Sequence, residues 1–471
     1  MCPELRMVRN PLMKRVALAI VYVLVWVANR WPAIRANTLF FDDFDLPRSP
    51  AVYYIGPYRP VLWLEYHFWH ALMPDFLWSH VPKILGAVYV GLAALALAEL
   101  LRHWGVDAWL AAATPLIVIV NPVLADGALW NTVHALPLGM FFAIQAARVR
   151  SWWMCLVLSL LAVCTYQVMI AIVALLTVAE PIIRRRFDVR ETGRRVAAIA
   201  IAAALQIAMM LLIRRFYDGA DGRGLAGATS FSAFLIAKWH GGTNLIANGW
   251  MPVIAWYTGA IPAMSLWKWI PIVIAIANAI AVRSARLASA VTTLAILALP
   301  ATPILVASAA PDAWRAAIPV AVALSVALVP ALAALPRKVA MTIVLAVVGL
   351  MAPVSWYESS ERVVGFRRDQ ALVESIGRRW NGAAFAVGFG SPITEDRRSG
   401  GPRDLTWGFQ IRTPAMWTAF AAQGFARPYL VSYHRLRWSS AQECHCGPIT
   451  HLDAQQTSVI CGQSPPCDRT P

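Results

Sequence analysis

The sequence predicts an all-α polytopic membrane protein of about 11 transmembrane helices, ending in a small α/β extracytoplasmic domain. Three observations predict it. Of 471 residues, 59% are hydrophobic and 14% charged, whereas soluble globular domains carry about a quarter charged residues. Apolar runs of the ~20 residues that cross a bilayer recur along most of the chain. Basic residues fall in alternate connections: Arg102, then Arg148 and Arg150, then Arg184, Arg185, Arg186, Arg190, Arg194 and Arg195, then Arg283 and Arg286, then Arg337 and Lys338. The turns near 121–127 and 165–168 carry none. That is positive-inside alternation with a cytoplasmic N-terminus. The net charge of +16 is therefore a topology signal. No basic patch with interleaved aromatics accompanies it, so no nucleic-acid partner is expected.

The first apolar run, Val16 to Val27, follows Arg6, Arg9, Lys14 and Arg15, with no small-residue cleavage site after it. It is expected to stay as a first span. The expected spans are 13–31, 82–101, 106–123, 128–147, 151–165, 168–183, 196–213, 261–282, 287–308, 314–335 and 339–356. The stretch from Ser151 to Ile183 lies between two basic clusters. One tilted helix would put them on opposite sides. Two short helices meeting at Thr165-Tyr166-Gln167 keep both inside, and helices that break within a membrane line cavities.

Spans 1–356 form the membrane domain. Its first outer loop, 32–81, holds Asp42, Asp43 and Asp45 and then the aromatic run "VLWLEYHFWHALMPDFLWSHV", read as a helix lying in the interface. Its second outer loop, 214–260, is Gly-rich and contains Lys238 and His240. An odd number of spans sends the tail, 357–471, to the outer side. The tail reads as a helix near 361–380 with strands at "AAFAVGFG" and "RPYLVSYHRL". Cys444, Cys446, Cys461 and Cys467 cluster there. An oxidising compartment permits disulfides, in which Cys444 and Cys446 each bridge to Cys461 or Cys467. A metal site with His445 or His451 is the rival reading. Cys155 and Cys164 lie in spans and are read as packing.

An outer loop meets neither ATP nor nucleotide-sugar, so synthetic chemistry there needs a donor already carried across the membrane, such as a polyprenyl-linked sugar. Transfer to a hydroxyl needs a carboxylate to take the proton, cations to meet the departing phosphate, and a groove for the lipid. Asp42 and Asp43 suit the first role. Arg59 suits the second, with Arg48, Lys238 and Arg223 behind it. Tyr58, Glu65, Tyr166, Gln167 and His240 complete the substrate-binding candidates. Each also has a plain reading. Outer-loop acids form solvated faces, Arg59 anchors a turn or a lipid headgroup, Glu65, His67 and His70 are interfacial polar positions, and Tyr166-Gln167 is a packed helix turn.

The order of Asp42-Asp43, Gly56-Pro57-Tyr58-Arg59-Pro60, Asn121-Pro122-Val123-Leu124 and Thr165-Tyr166-Gln167 resembles the GT-C superfamily of integral-membrane glycosyltransferases. It is most similar to the bacterial and phage O-antigen glucosyltransferases of type II. The resemblance covers roughly residues 38–175 by motif order. Two departures stand out: Pro57 and Tyr58 split the Gly–Arg pair, and Asn131 stands where the family often has an acid. The resemblance implies a GT-C-like membrane domain and transfer of a sugar, glucose in that family, from a polyprenyl-phosphate donor to an envelope glycan such as O-antigen. One of Asp42 and Asp43 would be the general base, the other would orient the acceptor or bind a cation, and Arg59 would meet the donor phosphate. No cofactor is required with a monophosphate donor; a pyrophosphate donor would call for a divalent cation at Asp42 and Asp43. The alternatives are a lipid-linked-sugar flippase or transporter, and an O-antigen polymerase or ligase.

Overall fold

The first helix, α1 (Pro11–Ala36), is built inside out. Its buried face carries Tyr22, Trp26, Asn29, Arg30, Ala33 and Ile34, spaced at one and two helical turns. Leu12, Val16, Ile20 and Leu24, four residues apart, are exposed. A helix that buries Asn and Arg while presenting a leucine–isoleucine stripe outward is made for hydrocarbon, not water. The structure, a computed structural model, describes residues 11–37, 58–124, 131–186, 188–216, 239, 242–243, 245–246, 249–258, 269–305, 317–379, 385–389, 429–431, 449–451 and 458–462. Among these, one unit runs to Ser359 and a second starts at Ser360.

In the first unit α1 is followed by α2 (Pro60–Leu72), α3 (Val81–His103), α4 (Ala108–Ile119), α5 (Leu136–Arg148), α6 (Trp152–Thr165) and α7 (Ile170–Arg184). Then come α8 (Val189–Phe216), α9 (Met251–Thr258), α10 (Trp269–Ala281), α11 (Arg286–Ala298), α12 (Ile318–Ala333) and α13 (Arg337–Arg379), whose residues from Ser360 on belong to the second unit. Among the described residues, five helical stretches are long and apolar enough to cross a membrane: Pro11–Ala36, Val81–His103, Gln167–Arg184, Val189–Ile213 and Arg337–Ser360. Every expected span contains a helix, so the chain is an all-α polytopic membrane protein. α4 and α6, whose ends both lie among the described residues, hold 12 and 14 residues. The 14 residues of α6 reach about 21 Å at 1.5 Å per residue, short of a hydrocarbon layer about 30 Å thick. Hydropathy marks where a segment is apolar, not where helical hydrogen bonding stops. The last expected span and the expected tail helix are one helix, α13, because "WYESSERVV" between them holds no Pro or Gly to stop it.

The inside-out pattern recurs. Val273, Ile276 and Ile280 of α10 are exposed while Asn278 is buried. Asn278 uses its burial. Its Nδ2 donates to the Ala327 carbonyl at 2.7 Å and to Thr293 Oγ1 at 2.9 Å, and its Oδ1 accepts the Ala331 N–H at 2.9 Å. The carboxamide thus spans one turn of α12 beside Pro330, which has no N–H to give. α12 is buried almost all round, and α7 packs against α5, α8, α11 and α12.

Ion pairs engage arginines of three expected inner segments, at the start of α1, the end of α5 and the α7–α8 connection. Glu99 of α3 accepts from Arg15 of α1 at 2.8 Å and from Arg148 of α5 at 2.5 Å. Glu180 of α7 accepts from Arg184 at 2.6 Å and from Arg195 of α8, which also reaches Glu191 at 2.7 Å.

The stretch from Ser151 to Ile183 breaks as expected. α6 ends at Thr165, Tyr166 is extended (φ −158°, ψ 129°), and a 3₁₀ turn at Gln167–Met169 leads into α7. Gly139 of α5 makes room for the break. A Cβ there would lie 3.0–3.1 Å from the side chains of Thr165 and Met169. Gly139→Leu is expected to overpack this contact at a cost of about 1–3 kcal/mol, with Gly139→Ala milder. Thermal unfolding in detergent checks it, and an unchanged midpoint for the leucine variant contradicts the packing argument.

In the second unit, described strands form a four-stranded sheet in the order β2-β1-β4-β3: β1 (Phe385–Phe389), β2 (Tyr429–Val431), β3 (Ile449–His451) and β4 (Ser458–Gly462). β1 is parallel to β2 and antiparallel to β4, and Val387 lies opposite both Leu430 and Ile460. β1 and β2 fall in the expected strands. β3 and β4 lie outside the expected strands. Cys461 sits on β4 opposite Ala386; Cys444, Cys446 and Cys467 lie outside the described residues.

Candidate functional site

The site starts where α2 starts. Pro60 occupies its first turn, where a missing N–H costs nothing. The residue before Arg59 is strained: Tyr58 adopts a φ of +64°, a left-handed conformation that costs a non-glycine residue of order 1–3 kcal/mol. Two amides offset the cost. Gln167 Nε2 donates to the Tyr58 carbonyl at 3.3 Å and Gln206 Nε2 at 3.1 Å. Gln206 is itself oriented, since its Oε1 accepts from the Cys164 thiol at 3.4 Å. The entry to α2 is thereby tied to the α6–α7 break and to α8.

Arg59 is 8% exposed, with its guanidinium 4.6 Å above the centre of the Tyr166 ring. A cation over an aromatic face is held by the ring quadrupole, more strongly where water is excluded. Four sequence candidates, Tyr58, Arg59, Tyr166 and Gln167, therefore meet in one place. Gln206 joins them without sequence warning, as the single polar residue in the apolar run 196–213 of α8.

Glu65, on α2, faces α3 and the turn before α5 instead. Its Oε1 lies 2.8 Å from His134 Nε2 and accepts from the Tyr89 hydroxyl at 3.3 Å. His134 Nδ1 lies 2.6 Å from the Asn131 carbonyl. A carbonyl has no hydrogen to give, so the heavy-atom network assigns a proton to Nδ1. The contact on the other side then needs one more hydrogen between Nε2 and Oε1. Glu65 Oε2 is buried with no partner among the described residues.

Asn131 accepts from the fully buried Lys83 ammonium at 2.7 Å and donates to the Leu77 carbonyl at 2.5 Å. A carboxylate would satisfy the lysine but not the carbonyl, which accounts for Asn at this position. Nearby on α2, Leu64, Phe68 and Leu72 form an exposed apolar stripe, in keeping with a helix lying in the interface. Burial raises the Tyr66 phenol above its ordinary pKa, so it acts as a neutral hydroxyl.

Asn121, before Pro122, is a second hub. Its carbonyl accepts from Arg30 Nη2 at 2.9 Å, its Nδ2 donates to the Gly249 carbonyl at 3.0 Å, and its Oδ1 caps the Val123 N–H at 3.0 Å. Arg30, fully buried over Trp26, is the residue sequence reasoning missed, although an arginine inside an expected span was the signal to follow. Asp42, Asp43, Asp45, Arg48, Arg223, Lys238 and His240 lie outside the described residues. Among the described residues no three His, Cys, Asp or Glu side chains gather as a metal ion needs, so the cation option rests with Asp42 and Asp43.

No protein-family model matches the chain, and no curated protein matches it. Among solved structures, the crystal structure of ArnT from Cupriavidus metallidurans in the apo state is similar over 95% of this chain and 97% of that one, at 12% identity and a TM-score of 0.40. A likeness that low carries no argument about function.

Proposed function

We propose that the protein is a membrane glycosyltransferase of the GT-C type that moves a sugar from a polyprenyl-phosphate donor to an envelope glycan. The observation that carries this is the meeting of Arg59 with Tyr166 beneath a Tyr58 carbonyl held by Gln167 and Gln206. A cation anchored on a ring at a break between short helices suits the phosphate of a lipid-carried donor. The acceptor hydroxyl oxygen bonds to the anomeric carbon while the bond from that carbon to the phosphate oxygen breaks, inverting the centre. Asp42 or Asp43 takes the hydroxyl proton, and the electron pair leaves on the phosphate, opposite Arg59. Glu65 Oε2 suits a sugar hydroxyl. Lys238 and His240 are assigned to the same substrate, and a divalent cation enters at the acidic pair only with a pyrophosphate donor. Glucose and O-antigen are the finer assignments. They belong with a bacterial inner-membrane location, a cytoplasmic N-terminus, and a periplasmic domain from 357 with disulfides among Cys444, Cys446, Cys461 and Cys467. A flippase calls for ionisable groups midway through the spans, whereas the buried Lys83 is the third residue of α3.

The test uses purified protein in proteoliposomes with a synthetic polyprenyl-phosphate-glucose donor, following sugar transfer to isolated glycan. Arg59→Gln is expected to lose about 10²- to 10³-fold in rate and Arg59→Lys less. An Arg59→Gln variant as fast as wild type would remove the phosphate role. Translocation of labelled donor without transfer would replace the enzyme reading with the flippase.

A further inference from the structure

At the basic end of the bundle a cavity of about 200 Å³ opens between the α5–α6 and α7–α8 connections. Arg150 and Trp152 line one side; Asp188, Arg190, Glu191, Arg194 and Arg195 line the other. Four arginines thus face two carboxylates, and both carboxylates are engaged. Glu191 pairs with Arg195 Nη2 at 2.7 Å. Asp188 Oδ1 accepts the Glu191 N–H at 3.0 Å, capping α8, and that bond is the main cause that holds its carboxyl below the usual carboxylate range. Arg195 is 5% exposed, and Glu180 and Glu191 hold its two terminal nitrogens. Its Nε, buried in the cavity lining, has no partner among the described residues. A guanidinium cannot shed its proton to escape that cost. The start of a 28-residue helix adds positive potential at the same place.

We propose that this cavity holds the phosphate of one anionic glycerophospholipid. The rim identifies a lipid rather than a soluble phosphate. α6 and α8 pack along a seam of Cys155, Leu156, Ala198 and Ala202. On either side of the seam Trp153, Met154, Val157 and Val196 are exposed. A tryptophan at this level marks the headgroup boundary, and the apolar residues beyond it give acyl chains a surface to lie on. A phosphate here takes the open Arg195 Nε–H and the exposed Arg150 and Arg194, drawing the two connections together. This site lies among the segments that charge alternation assigns to the cytoplasm and does not depend on the glycosyltransferase reading.

The plain alternative is that these arginines merely set topology, with no built site. Native mass spectrometry of the full chain in detergent distinguishes the two, using phosphatidylglycerol and phosphatidylcholine of equal chain length. Wild type is expected to retain one phosphatidylglycerol, preferred over phosphatidylcholine by roughly tenfold. Arg150→Gln/Arg194→Gln, both exposed and outside the Glu180 pair, is expected to abolish that preference. Arg102→Gln/Lys338→Gln removes the same charge from other basic connections and is expected to leave it unchanged. Equal losses in the two variants mean diffuse surface charge and overturn the proposal. So does unaltered retention in Arg150→Gln/Arg194→Gln, or displacement of the lipid by millimolar inorganic phosphate, which would make the cavity a soluble-anion site.

Discussion

Asp42→Asn and Asp43→Asn are expected to differ in how they fail. An asparagine keeps the size and hydrogen-bonding oxygen of aspartate but cannot take a proton at neutral pH. Replacing the general base is expected to lower kcat by about 10²- to 10⁴-fold with little change in KM. The residue that orients the acceptor should lose mainly in KM, because its contact is made in the ground state as well as the transition state. Initial rates in proteoliposomes across acceptor concentrations, with membrane levels matched by immunoblot, separate the two. Full activity in both variants would sink the catalytic assignment, whatever Arg59 does. This pair is the larger test of the proposed chemistry, since Arg59 stabilises a charge whereas the base is required for the proton to leave.

Glu180→Leu is expected to cost about 3–5 kcal/mol, a large share of the roughly 5–15 kcal/mol that holds a typical protein folded. Glu180 is 7% exposed and accepts from both Arg184 and Arg195. Removing it leaves the buried Arg195 with Glu191 alone, and arginine stays charged whatever its surroundings. Exchanging both partners behaves differently, because a well-packed apolar pair of similar volume avoids the desolvation of two ions. Glu180→Leu/Arg195→Met should therefore recover much of the loss. Unfolding midpoints in detergent for the single and double variants check this. A Glu180→Leu midpoint equal to wild type would show that the pair contributes nothing.

The break at Tyr166 was legible because of arithmetic. One helix from Ser151 to Ile183 would have put its two flanking basic clusters on opposite sides, so keeping both inside required two short helices. The inside-out faces of α1 and α10 were legible only as apolar runs. Which stripe faces a neighbour, and that Arg30 and Asn278 point inward, depends on where the adjacent helices lie. Asn131 looked like a departure from a family pattern and is instead the acceptor for Lys83. No local reading finds that, since the two are 48 residues apart. Glu65 and His134, 69 apart, and Gln206 and Tyr58, 148 apart, pose the same problem.

By itself, then, the sequence determined the class of the molecule, the approximate helices, the shared end of the basic clusters and the helix break. All of these follow from hydropathy and charge summed over neighbouring residues. Only the tertiary structure decided that Arg59 rests on Tyr166, that Glu65 meets His134, and that Arg195 is held by two carboxylates with its Nε to spare. A buried polar group must be satisfied, but almost any part of the chain can satisfy it, and the choice is made by which helices abut.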